Sequence, residues 1–189
     1  MLVDDLRTAG REPSPLLAVR EVLDEAMAHR GAVVEALPAT RAELLPLYRS
    51  DELTVLKVVW APGMWLQPHD HRMWAAIGVY TGREDNTYYR RTGEPEERIA
   101  VSGGRELQEG EVSLMGDDVI HAVKNPLAVC TGAIHVYGGD FFGVERSEWD
   151  PGNLREQPSD GARMARRFEE ANERMINEQM FNERVRAQS

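Results

Sequence analysis

The chain has 189 residues, 42% of them hydrophobic and 29% charged, with a formal net charge of −10. That length suits one domain with a real core, and the acidic balance argues against nucleic acid and anionic membrane surfaces as partners. No apolar run approaches a membrane span, the N-terminus lacks the apolar core of a secretion signal, and the single cysteine, Cys130, allows no internal disulfide, so a cytoplasmic protein is the economical expectation.

In chain order, residues up to about 50 have helical texture. Ser14-Pro15 fits an N-cap with proline in the first turn. Leu16, Val19, Val22, Leu23, Ala26 and Met27 follow at helical spacing, with Gly31 as a stop. Thr40-Arg41-Ala42-Glu43 fits a capping box, which predicts a second, shorter helix limited or kinked by Pro46. From Leu53 the texture changes to short runs rich in Val, Ile, Tyr and Trp, at 53–60, 74–80, 86–91 and 133–137, separated by glycine-bearing turns. Such runs without intervening helices predict a sandwich or barrel rather than a parallel sheet. Beyond Trp149-Asp150-Pro151-Gly152, Met164, Phe168, Ala171, Met175 and Phe181 give one long helix an apolar stripe. That stripe either packs on the barrel or makes a homo-oligomeric contact. The expected organisation is one domain, 1–189, with a helical segment over about 1–50, a β-barrel over about 51–148 and a C-terminal helix over about 159–187.

Of the five histidines, four lie in the β-rich part: His69, His71, His121 and His135. His29 reads as a surface or helix-end residue. Residues two apart on a strand share a face, so His69 and His71 can grip one ion while Asp70 points the other way. His121 lies in another strand-like stretch and offers a third donor.

The segments around these histidines resemble the two cupin motifs. Gly63 is followed by five residues and then His69-Asp70-His71, with Gly82 where the first motif closes. Gly110, His121 and Asn125 stand in register with the second, and the turn formers Gly116 and Asp118 replace its usual middle Pro and Gly. The resemblance covers roughly residues 50–140 and implies a mainly β fold, the cupin double-stranded β-helix (jelly-roll barrel) with N-terminal helices and a C-terminal helix. Most metal-binding cupins add a glutamate ligand soon after the histidine pair. Here that stretch reads Arg72, Met73, Trp74, Ala75, Ala76, and the nearest later acid, Glu84, is read as lying in a turn. Three neutral imidazoles leave the ion's charge uncancelled and positions open for anionic ligands and oxygen.

A three-histidine cupin site is similar to that of the thiol dioxygenases, the cysteine dioxygenase family. That family's Ser-x-His-x-Tyr appears here as Ala133-Ile134-His135-Val136-Tyr137, with alanine in place of the serine. Ala75 and Ala76 stand where some members carry a crosslinking cysteine. The resemblance implies Fe(II) on His69, His71 and His121, zinc or nickel being compatible with the same ligands. It also implies His135 and Tyr137 beside the metal and an arginine that clamps the substrate carboxylate. Arg49 is the first choice for the clamp, with Arg72, Arg90 and Arg91 as rivals. The expected partners are a small thiol, of the cysteine or 3-mercaptopropionate type, and O2, giving a sulfinate. Three other readings remain open: a three-histidine cupin oxygenase cleaving carbon–carbon bonds, a non-catalytic small-ligand-binding cupin, and a zinc hydrolase or isomerase.

Overall fold

The structure, a computed structural model, describes residues 1–93 and 98–187. Three helices come first: α1 (Leu2–Ala9), α2 (Pro15–Ala28) and α3 (Arg30–Ala36). Pro15 opens α2, and the Ser14 carbonyl accepts from the amides of Leu17 and Ala18, but the Ser14 side chain makes no capping bond. The helix breaks at His29 rather than at Gly31, which lies inside α3.

Among the described residues eleven strands follow: β1 (Glu43–Arg49), β2 (Thr54–Trp60), β3 (Trp65–Asp70), β4 (Ala75–Thr81), β5 (Arg83–Arg91), β6 (Ile99–Gln108), β7 (Val112–Met115), β8 (Ile120–Lys124), β9 (Thr131–Tyr137), β10 (Ser147–Trp149) and β11 (Glu156–Pro158). They form two antiparallel sheets, ordered β1-β2-β9-β4-β7 and β11-β10-β3-β8-β5-β6. This is the double-stranded β-helix, or jelly roll, of the cupin fold.

Strand parity explains the two-sided burial of the first sheet. Leu56, Val58, Trp60, Ile77, Val79 and Tyr137 face inward to the space between the sheets. Val55, Ala76, Tyr80, Ile134 and Val136 face outward and are covered by Leu6, Val19, Leu23 and Met27 of α1 and α2. With both faces apolar, β2, β4 and β9 read as continuous hydrophobic runs rather than alternating ones. Each large buried side chain contributes roughly 1.5–3 kcal/mol. Gly78 lets α2 approach, since a Cβ there would lie 3.2 Å from Met27.

The second N-terminal helix expected from Thr40 does not form; β1 occupies that place. Leu44 packs inward while Leu47 and Tyr48 pack outward, and the ladder to β2 shifts register between Pro46 and Tyr48, where the missing proline N–H is tolerated. The Glu43 carboxylate pairs with Lys57 instead of returning to a helix N-terminus. Pairing with β2 outweighs the local capping signal.

The last helix, α4 (Gly161–Ala187), is capped by Asp160, whose Oδ1 accepts from the amides of Ala162 and Arg163. Met164, Phe168 and Ala171 pack into the inner core. The Ala42 amide donates to Asn172 Oδ1 at 2.8 Å, and Asn172 Nδ2 returns a bond to the Ala42 carbonyl at 2.9 Å. Beyond that tie the apolar residues Ile176, Met180 and Phe181 are exposed. Among the described residues, no helix is long and apolar enough to cross a membrane.

Candidate metal centre

The antiparallel register of β3 and β8 sets His69 directly opposite His121. His71 follows one residue past the end of β3, on the same side as His69. All three are buried, and one ligand atom from each lies within 4.8 Å of the others. Ring centroids are 5.1 Å apart for His69–His71, 4.6 Å for His69–His121 and 4.9 Å for His71–His121.

Their hydrogen bonds test whether an ion fits. His69 Nδ1–H donates to the Gln67 carbonyl at 3.0 Å, and His121 Nδ1–H donates to Asn86 Oδ1 at 2.8 Å. Both tautomers therefore leave Nε2 unprotonated, as a metal requires. His121 Nε2 and His71 Nε2 lie 3.2 Å apart. Without an ion His71 Nε2–H can donate to the His121 Nε2 lone pair, and with the His71 proton on Nδ1 instead, which no other group binds, both Nε2 atoms face a common cation. Burial drives the His69 pKa down to about 4. Burial, then the neighbouring histidines, hold His71 and His121 well below 6.5. The cluster is thus a neutral donor set that could hold a metal.

Among the described residues no carboxylate joins it. Asp70 turns away, accepting from the Ser147 amide and pairing with Arg72 Nε at 2.6 Å. Glu84 is not in a turn but buried in β5, where its Oε1 accepts from Trp60 Nε1 at 2.6 Å and lies 3.1 Å from His135 Nε2. His135 Nδ1 in turn lies 3.0 Å from the Tyr137 hydroxyl. The Tyr137 ring stands edge-on to His71 at 4.9 Å, and burial pushes its pKa well above 10. The structure thus brings His135 and Tyr137 to the wall of the same small cavity as the three histidines, a space of about 20 Å3 also walled by Trp60, Phe141, Met164 and Phe168. That is room for about one water molecule.

Arg49 is not brought there. Its guanidinium makes two bonds to the Asp140 carboxylate, at 2.7 and 2.8 Å, and lies over the Phe142 ring. Its place in β1 directs it to the rim, and the ion pair occupies its donors. Arg72 is held by Asp70, Ser147 and Glu156, Arg91 by Glu156, and Arg90 is exposed. A different arginine comes close. The Arg146 guanidinium stacks on Phe141 at 3.8 Å, and its Nε and Nη1 are buried without a hydrogen-bond partner. After burial, its charge helps to lower the pKa values of His69 and His71, and it offsets part of the rise that burial imposes on Tyr137. It also lines a larger open cavity of about 960 Å3, together with Arg72, Ser147 and Glu156.

Glu84, Asn86 and Arg146 escape the sequence reading. For the first two a signal existed. Beginning β5 at Arg83 would have placed Glu84, Asn86 and Tyr88 on one face by parity. Arg146 lies in a segment without periodicity between β9 and β10, and nothing local marks it.

No family model matches the chain. Solved structures with similar folds include an RmlC-like cupin family protein with a double-stranded β-helix fold from Methanocaldococcus jannaschii, at 11% identity and TM-score 0.46, covering 56% of this chain and 87% of that one. A cupin superfamily protein from Desulfitobacterium hafniense matches at 13% identity and TM-score 0.44, over 57% and 88%. An oxalate oxidase in complex with its substrate analogue glycolate matches at 17% identity and TM-score 0.38, over 47% of this chain and 42% of that one. At these values the fold assignment rests on the chain's own sheet order, and any function on its own residues.

Proposed function

We propose that the chain is a non-haem iron thiol dioxygenase that converts a small thiol carboxylate, of the cysteine or 3-mercaptopropionate type, to its sulfinate. Both atoms of O2 are transferred to sulfur, which loses four electrons as dioxygen gains them. The observation that carries the reading is a buried three-histidine cluster with no carboxylate among the described residues, a tyrosine–histidine pair on the wall of its cavity, and a partly unpaired arginine stacked on Phe141 of that wall.

Iron, when bound, supplies the redox chemistry that joins dioxygen to sulfur. His69, His71 and His121 would hold it through Nε2, and being neutral they favour an anionic sulfur donor as a further ligand. Arg146, not Arg49, takes the role of carboxylate clamp: its two unpartnered buried N–H groups are the donors a carboxylate would satisfy. Phe141 holds the guanidinium plane by stacking. Tyr137 contributes a hydroxyl on the cavity wall, kept protonated by its burial. Trp60, Phe141 and Phe168 exclude bulk water from the reacting atoms.

An arginine beside the cluster favours this reading over carbon–carbon cleavage of a neutral diketone, which has no use for a clamp. The deciding measurement is oxygen uptake by protein carrying one iron per chain, with cysteine and 3-mercaptopropionate in turn. One sulfinate should form per O2 consumed. Silence across the thiol panel from fully iron-loaded protein overturns the proposal.

A further inference from the structure

Glu84 has no part in the reaction as set out above, yet it is a fully buried carboxylate inside the barrel. Burying a carboxylate is unfavourable unless its charge is used or compensated. Its compensation is incomplete: Oε1 takes the Trp60 N–H and faces His135 Nε2, while Oε2 is buried without a partner. A glutamine would satisfy Trp60 equally well without the charge. The feature that needs the charge is His135, which bridges Glu84 to Tyr137.

We infer that Glu84 is a positioning residue that fixes His135 in its Nε2–H tautomer, so that Glu84, His135 and Tyr137 form a relay able to take up the proton of the incoming thiol. The chain of contacts dictates the direction. Trp60 N–H can only donate, so Glu84 Oε1 is an acceptor, and His135 Nε2–H donates to it. His135 Nδ1 is then left to accept, and the Tyr137 hydroxyl donates to it across 3.0 Å. The phenol oxygen therefore presents a lone pair to the cavity. This relay rests on the thiol reading above. When a thiol arrives, its S–H bond breaks and the proton passes to Tyr137 Oη as the proton of Tyr137 passes to His135 Nδ1. Sulfur is left anionic, the imidazolium is paired with Glu84, and Tyr137 now donates its hydroxyl to sulfur. Charge is conserved, and no oxidant is needed for this step. The arrangement is the one by which a buried carboxylate orients an imidazole and stabilises the imidazolium in acyl-transfer enzymes.

The test has a readout that does not depend on turnover. In zinc-loaded, 15N-histidine-labelled protein, two-bond 1H–15N correlations report the tautomer of each imidazole, with His135 assigned by loss of its signals in His135→Asn. Wild type should show His135 protonated at Nε2, and Glu84→Ala should shift it toward Nδ1–H. Glu84→Gln, which retains an acceptor oxygen, should keep the wild-type tautomer. In the iron form, Glu84→Gln should lower kcat by roughly 100-fold, the scale of lost acid–base assistance, with iron content and KM retained. A wild-type His135 protonated at Nδ1, or a Glu84→Gln variant turning over at the wild-type rate, overturns the inference. If no thiol is oxidised, the tautomer still decides the Glu84–His135 link, so the two failures are distinct.

Discussion

At the scale of single residues, what was legible depended on whether the signal was local. The His69/His71 pair could be read because two-residue parity needs only a strand, and the structure places both side chains on one side. Arg49 shows the limit: residue type and rough position suggested a clamp, but Asp140, 91 residues further on, claims its guanidinium. Arg146→Ala should raise KM for the thiol acid by roughly 10- to 100-fold, the range for a lost hydrogen bond to a charged group. Arg49→Ala should leave KM near wild type; steady-state oxygen uptake separates the two. The histidines also predict a pH response. His69 has a folded pKa of about 4 against an ordinary 6.5. The unfolded chain therefore binds more protons between those values, and the stability of metal-free protein falls as pH drops from about 6.5 toward 4. For His69 alone the loss amounts to roughly 3 kcal/mol. Denaturant midpoints of the metal-free protein at pH 7, 6 and 5 should decline in that order, while a flat series would contradict the burial of the cluster.

At the scale of elements, the strands of the central sheet were legible because both of their faces are buried, so hydrophobicity alone outlines β2, β4 and β9. The failures came where a short polar or proline-containing segment is recruited by a distant partner. Thr40 to Glu43 carries a genuine capping pattern, but the edge of β2 pairs with six residues of β1, and Leu44 and Tyr48 pack on the two faces of the sheet. The polar start of β5 looked like a turn for a similar reason: Glu84 and Asn86 are polar because they bond to histidines, and sequence alone cannot distinguish that from solvation. The long C-terminal helix was legible from its stripe, which packs from Met164 to Met175 and leaves Phe181 exposed. Besides that packing, polar ties hold it to the barrel: the Arg163–Glu148 ion pair at 2.8 Å and the two-way bond between Asn172 and the Ala42 backbone. Asn172→Ala should lower stability by about 1–3 kcal/mol, the cost of leaving buried backbone groups unpaired, read as a lower thermal midpoint.

At the scale of the whole molecule, two sheets and a helix enclose the three histidines so closely that the space beside them is about 20 Å3. The thiol acid of the proposed reaction does not fit that volume, so that reaction requires part of the wall to give way, and Met164 and Phe168 belong to α4, whose C-terminal part leaves the barrel. Occupancy of the centre is then governed by a rate as well as by an affinity. However tightly an ion is held, its departure can be no faster than the fluctuation that opens the wall, and past a certain concentration a chelator waits on the protein rather than the reverse. Extraction of the metal should accordingly reach a plateau rate as chelator is increased, and Phe168→Ala should raise that plateau. A rate that climbs in proportion to chelator without limit would mean that the ion is already open to solvent. For a metal held at this centre, the same delay would act as a memory: an ion acquired on folding would be kept through transient changes in the surroundings, even where another ion would bind more strongly at equilibrium.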